Sequence, residues 1–250
     1  RYFHYQEAFM KLIQQELGHS EAETILSALP LPRRNTYLNL AKQHGGTGTD
    51  IDILAAYLYV WNGFMASVVD RTTGEVEVLL RNFIDSRFRE WNSSPPRHGS
   101  PDWLEHPEAP LTQLALPEGR SRLADLAHCD SSFSPPSHDD YVAGLTFGIW
   151  VHLLPKPHAG NKNPRVVLWN EALEPHVHKL NRVEFQQYAM LVKDMRNRAT
   201  HRRPLIKDIP KLEKTHQFSI ELAKAINPKM GVWMRSERWI PEALKQFPAK

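Results

Sequence analysis

The chain has 250 residues, 41% of them apolar and 24% charged. This length suits one large domain or two small ones, and the composition excludes a largely disordered chain. The balance of 31 basic to 28 acidic residues leaves +3, so a nucleic-acid partner must be sought in the distribution of charge. The single cysteine, Cys129, excludes an intrachain disulfide and a cysteine-rich zinc module and fits a reducing, cytoplasmic setting.

Helical periodicity runs almost throughout. A first helix is expected over about Gln6–Leu17, with Phe9, Leu12, Ile13 and Leu17 on one face. Ser20, three residues before Glu23, reads as a capping box for a helix ending before Pro30. A short helix over Thr36–His44 is stopped by Gly45-Gly46-Thr47-Gly48. Thr49 or Asp50 then caps a helix to about Val69, carrying Leu54, Leu58, Trp61 and Met65 on its apolar face. A turn is expected near Thr72-Thr73-Gly74, then a helix over Glu75–Trp91 with Val76, Leu80, Phe83, Ile84 and Phe88 inward.

The stretch 92–118 holds six prolines and reads as a long loop, which in a compact domain marks function or an insertion. Further helices are expected over Arg122–Cys129, from a Ser137/Asp140 capping box to Leu154, and over Leu168–Val177. Asn181 with Glu184 opens another, running to about His201 before Pro204; a last long helix covers Pro210–Ile226. Trp233 and Trp239 read as packing anchors of the tail. The best strand signal, Arg165–Leu168, is weak, so the fold class is all-α. The longest strongly apolar stretch, Tyr141–Leu154, has 14 residues and includes His152. A membrane helix needs about 20, so no span is expected, and no signal peptide is visible.

Charge concentrates in one place. Lys193–Lys207 holds Lys193, Arg196, Arg198, Arg202, Arg203 and Lys207 against Asp194 alone, a local balance of +5. Such a cluster attracts phosphate by releasing condensed counterions, although basic residues at a helix C-terminus also simply oppose the dipole. Within it, Arg196-Asn197-Arg198-Ala199-Thr200-His201 has the form R-N-x-x-x-H. Asn197 and His201 stand i and i+4 on a helix, while Arg196 lies about 140° around it from His201. An R-x4-H pattern arises by chance about once in a chain of this composition; requiring the asparagine lowers that to about 0.04. The similar Arg122/His128 spacing lacks both the asparagine and basic surroundings and reads as structural.

These residues carry a resemblance. Met195–His201 resembles the signature of HEPN proteins (higher eukaryotes and prokaryotes nucleotide-binding), and the chain most resembles the Abi-like AbiD/AbiF group of bacterial abortive-infection proteins. Glu75-Val76-Glu77-Val78-Leu79-Leu80-Arg81-Asn82 is similar to that group's "L-E-V-A-L-R-N" helix, and Tyr59-Val60-Trp61-Asn62 to the helix before it. Leu145-Thr146-Phe147-Gly148-Ile149-Trp150 resembles "L-S-F-G-x-W", and Ala225-Ile226-Asn227-Pro228 with Trp233 resembles "W-I-N-P…W".

The resemblance implies a HEPN-type helical bundle with added helices and the long Pro-rich loop. It implies an N-terminal helical extension (1–48), a HEPN-like core (49–226) and a tail packing on it (227–250). It also implies a homodimer and a metal-independent, cofactor-free ribonuclease used as a toxin in phage defence. Arg196 and His201 match the catalytic pair and Asn197 its polar neighbour; where the family continues "H-H-E-P", this chain has Arg202-Arg203-Pro204. Lys193, Arg198, Arg202, Arg203 and Lys207 are the expected RNA contacts.

Glu77, Arg81 and Asn82 are supporting candidates, although Glu77 and Arg81 at i,i+4 can also pair on a helix surface. Histidine titrates near 6.5, which suits proton transfer to and from the RNA 2′-hydroxyl, and arginine stabilises phosphoryl charge. The RNA is cellular, phage or a regulatory noncoding RNA, and an antitoxin is a further partner. The alternatives are a non-catalytic RNA-binding HEPN protein and a toxin subunit that mainly binds its antitoxin. No metal site is expected: His176 and His178 lack a third ligand in a suitable motif, HExxH is absent, and no phosphate-binding glycine loop exists. Asp139-Asp140 reads as helix-start chemistry.

Overall fold

A computed structural model describes residues 16–114, 122–130, 132 and 135–249. Those residues form helices and turns, with no strand among them, so the all-α class holds. The helix expected over Gln6–Leu17 lies outside the described residues apart from Glu16 and Leu17, as does the end of the Pro-rich stretch. The helices are α1 (His19–Ser27), α2 (Leu31–Gln43), α3 (Asp50–Ser93), α4 (His138–Gly144), α5 (Phe147–His152), α6 (Pro164–Leu168), α7 (Arg182–Thr200), α8 (Ile209–Ile226), α9 (Pro228–Glu237) and α10 (Trp239–Lys245).

Several expectations change in detail. The capping glutamate of α1 is Glu21, whose carboxylate accepts from the Gly18 N–H at 3.1 Å, so the helix starts before Ser20. The two helices expected on either side of Thr72–Gly74 are one 44-residue helix, α3. Between Asp50 and Ser93 there is no proline, and two glycines cost only about 1 kcal/mol each. Thr72 and Thr73 are buried and continue the inward face instead of forming a turn. Asp50 and Asp52 favour its positive N-terminal end, and Pro95-Pro96 follow its C-terminal end.

This helix is long and apolar enough to cross a membrane by length and composition, a test that the core helix of a soluble protein also passes. The expectation of no span rested on Tyr141–Leu154 and passed over the 17 uncharged residues Ile53–Val69 within α3.

The helix expected over Ser137–Leu154 is broken in two. Its capping box forms as expected, Asp140 accepting from both the Ser137 N–H (2.8 Å) and hydroxyl (2.6 Å). The break comes at Leu145, whose backbone is extended. There the Gly144 carbonyl accepts from His128 N–H at 2.9 Å, and a Cβ on Gly144 would sit 3.0 Å from the His128 backbone. Arg165–Leu168, the weak strand candidate, is helical in α6, where Asn163 caps and Pro164 occupies the first turn. The following residues wind as a π turn (Trp169–Leu173) and a 3-10 turn (Glu174–His176), not the expected α-helix. A 3-10 turn over Leu123–Leu126 replaces the helix expected at Arg122–Cys129.

The chain divides into two compact units, each gathered from separated segments. The first comprises Arg1–Asp70, Arg198–Glu213 and Trp239–Lys250. Its core holds Leu26, Tyr37, Leu58, Trp61 and Met65, all fully buried. Trp61 donates through Nε1 to the Ala243 carbonyl at 3.1 Å and meets Phe247 edge-on, 4.9 Å between ring centroids. Burying such a ring removes ~150–250 Å² from water, about 4–6 kcal/mol at ~25 cal/mol/Å².

The second unit comprises Arg71–Asn197 and Lys214–Arg238. Its core joins Phe88, Trp103, Phe147, Trp150, Trp169 and Phe185, with Trp233 packed against it. The Pro-rich stretch contributes to this core through buried Trp103, Leu104, Leu111 and Leu114. Asn92, fully buried at the end of α3, holds it: its amide donates to Ser100 O (2.6 Å) and His106 O (2.9 Å), and its oxygen accepts from Glu108 N–H (2.8 Å). Beside it, His138 bridges two carboxylates, Nδ1 to Asp102 and Nε2 to Asp85, each at 2.7 Å; Asp85 also accepts from Trp103 Nε1 at 2.9 Å.

Candidate functional site

The candidate site begins on α7, and the sequence explains how that helix starts. Asn181 accepts through its side chain from the Val183 and Glu184 N–H groups at 3.0 Å, and Glu184 accepts in return from Asn181 N–H at 3.1 Å. This is the expected capping arrangement. Phe185, Gln186, Ala189, Val192, Met195 and Ala199 form the buried face. Lys193, Arg196 and Arg198 are half-buried, and Asn197 is exposed.

In the second unit, Arg196 Nη2 lies 3.4 Å from Glu77 Oε2 of α3, with the Glu77 side chain 18% exposed. The i,i+4 pairing of Glu77 with Arg81 does not form. Among the described residues Arg81 makes no ion pair, and its Nε is buried without a hydrogen-bond partner. Thus, of the three supporting candidates, Glu77 meets Arg196, Arg81 has no ion pair among the described residues, and Asn82 is exposed. Lys193 Nζ contacts Asp194 Oδ1 at 3.0 Å.

The turn after α7 belongs to the first unit. Arg203 N–H donates to Arg198 O (2.9 Å) and Arg202 N–H to Ala199 O (2.8 Å), the paired bonds of a Schellman cap. Arg202 takes the left-handed conformation this cap demands (φ 51°), a position usually given to glycine. His201 is therefore the cap residue, exposed and one position beyond the helix, so the shared helix face expected for Asn197 and His201 ends just short of the histidine.

The arginines build the turn. Arg198 Nη2 donates to Pro204 O at 3.0 Å, Arg202 Nη1 to Gly63 O at 3.2 Å, and Arg33 Nη2 to Arg202 O at 2.9 Å. The Arg203 and Lys207 side chains are exposed.

Asn62 is the residue that chemical reasoning from sequence missed. It is 1% exposed; its oxygen accepts from Leu205 N–H at 2.6 Å and its amide donates to Arg203 O at 3.4 Å. The available signal was a lone polar side chain between apolar Trp61 and Met65 on α3. Arg33, Tyr59, Asn62, Gly63 and Arg202 line a cavity of about 450 Å³ beside this turn. A Cβ on Gly63 would sit 3.1 Å from the Arg202 guanidinium, so glycine admits that close approach.

Arg122 pairs with Glu105 (2.5 Å) and Asp125 (3.1 Å), and His128 N–H bonds Gly144. No group of three or more metal-ligating side chains is arranged to hold an ion among the described residues. Arg196 and Asn197 belong to one compact unit and His201 to the other, because the division falls between Asn197 and Arg198. No protein-family model, curated protein or solved structure matches this chain.

Proposed function

We propose that this chain is a metal-independent RNA endonuclease of the HEPN type, acting in abortive infection as a cytoplasmic homodimer. The observation that carries the reading is the R-N-x-x-x-H motif at the end of α7, with His201 exposed on a turn whose backbone is hydrogen-bonded from α3 and α2.

In this reading His201 takes the proton of an RNA 2′-hydroxyl. The 2′-oxygen attacks the adjacent phosphorus, the bond to the 5′-oxygen breaks, and that oxygen leaves with a proton from a second acid. Arg196, directed by Glu77, faces the charge that builds on the phosphoryl oxygens. The second acid is the histidine of the partner chain, so the reaction needs two copies. Lys193, Arg203 and Lys207 supply phosphate contacts, while Arg198 and Arg202 also brace the turn.

Incubation of total RNA with the protein in EDTA, followed by end-group analysis, tests the chemistry. Cyclic phosphate and 5′-hydroxyl ends are expected. RNA that is bound but uncut would favour the non-catalytic RNA-binding reading. RNA neither bound nor cut would favour the antitoxin-binding toxin subunit. Light scattering should show a dimer with or without RNA; a monomer under both conditions would remove the two-histidine mechanism.

A further inference from the structure

A cavity of about 700 Å³ in the second unit is lined by residues of α5, α6, α7 and the connection after α5. This size falls within the ~300–1,000 Å³ range of small-molecule sites. Its charged lining is one-sided: Lys156, Arg165 and Lys193 face it together with His152 and His158, and no carboxylate is among the lining residues. Val151, Leu154 and Met190 supply an apolar wall.

Two features of the lining keep charge or hydrogen-bonding capacity that no described residue uses. Arg165, half-buried, donates to neutral acceptors only: Nε to His152 O at 2.7 Å and Nη2 to His152 Nε2 at 2.8 Å. An arginine only donates, so His152 Nε2 accepts and that ring is neutral. Burial and the nearby Arg165 and Lys156 charges push the His152 pKa below its ordinary value, consistent with this arrangement. Neither Arg165 nor Lys156 has a carboxylate partner among the described residues, while Lys193 shares its charge with Asp194. Gln186, 8% exposed, lines the cavity, and its side-chain amide has no hydrogen-bond partner among the described residues. Its amide atoms remain accessible and can hydrogen-bond a molecule bound there.

We propose that this cavity binds a small organic phosphomonoester, its phosphate on Arg165, Lys156 and Lys193, its apolar body against Val151, Leu154 and Met190, and a polar group on Gln186. Three cations match a dianion better than a carboxylate, and arginine's planar fork suits phosphate oxygens. The site shares Lys193 with the proposed RNA contacts but includes neither Arg196 nor His201, and it does not require RNA cleavage.

Phenyl phosphate, benzoate, benzyl alcohol and inorganic phosphate serve as probes by calorimetry on the full chain. Binding at the Met190 wall is followed by methyl NMR of labelled methionine. Phenyl phosphate should bind at least tenfold more tightly than either the neutral alcohol or inorganic phosphate, and more tightly than benzoate, and should shift the Met190 signal. Lys156→Glu, at an exposed position, should weaken it roughly tenfold or more, the loss of at least one charge-assisted contact. Gln186→Leu should weaken only ligands that carry a hydrogen-bonding group on the ring, such as 4-hydroxyphenyl phosphate. His201→Ala should bind phenyl phosphate like wild type, separating this site from the ribonuclease reading. Equal affinity for phenyl phosphate and benzyl alcohol, no binding of any probe, or unchanged affinity in Lys156→Glu would overturn the proposal.

Discussion

Asn62 shows how one side chain can govern the surroundings of His201 without touching a substrate. Its oxygen takes the Leu205 N–H and its amide reaches Arg203 O, in a position almost closed to water. Removing it leaves a buried N–H unpaired, which typically costs about 1–3 kcal/mol. Asn62→Ala is expected to lower unfolding free energy by that amount in urea titrations. An unchanged midpoint would show that the turn does not depend on this side chain.

His138 makes a prediction about pH. Burial alone would push its imidazole down, but hydrogen bonds to Asp85 and Asp102, with their charges, raise its pKa above the ordinary value. A group with a raised folded pKa contributes stability that is fully present below its unfolded value, near 6.5, and is lost as pH rises through the folded value. His152 and His216 are lowered, chiefly by burial, and act in the opposite sense, so the difference between wild type and His138→Gln isolates the term. That difference should be larger at pH 6 than at pH 8.5 in chemical denaturation. A pH-independent difference would mean that the imidazole is not charged in the folded protein.

At the scale of elements, α3 is the clearest departure from what the sequence suggests. Thr-Thr-Gly at positions 72–74 has turn composition, yet the helix runs through it. A Cβ on Gly74 would meet nothing within 4 Å, and its φ is not positive. Gly74→Ala should therefore stabilise the protein by up to about 1 kcal/mol. A helix-ending glycine with positive φ would give destabilisation instead, and thermal melts distinguish the two.

The all-α class and the capping boxes of α4 and α7 were legible because they are local: Ser137/Asp140 and Asn181/Glu184 act through bonds three residues apart. The α4–α5 break was not, because it depends on the His128 backbone approaching Gly144, a contact between distant segments. The same holds for the site. The basic segment and the motif are visible in the chain, but the Glu77–Arg196 pair and the hold of Asn62 on the 203–205 turn join residues more than 100 positions apart. Nor does local sequence reveal that Arg202 bears the left-handed cap where glycine is usual.

At the scale of the whole molecule, a chain of net charge +3 concentrates +5 between Lys193 and Lys207. Part of that charge is used internally: Arg196 faces Glu77, Lys193 faces Asp194, and Arg198 and Arg202 sit on carbonyls. The central claim is that His201 and Arg196 perform catalysis instead of merely closing a helix. Cleavage of a labelled RNA by matched preparations of wild type, His201→Ala and Arg196→Lys tests it most directly. The His201→Ala variant should stay folded and lose roughly 10²–10⁴-fold in rate, the usual worth of a proton-transfer group. Arg196→Lys should also be severe, because lysine keeps the charge but loses the planar two-donor fork. Wild-type cleavage rates in His201→Ala would contradict the account.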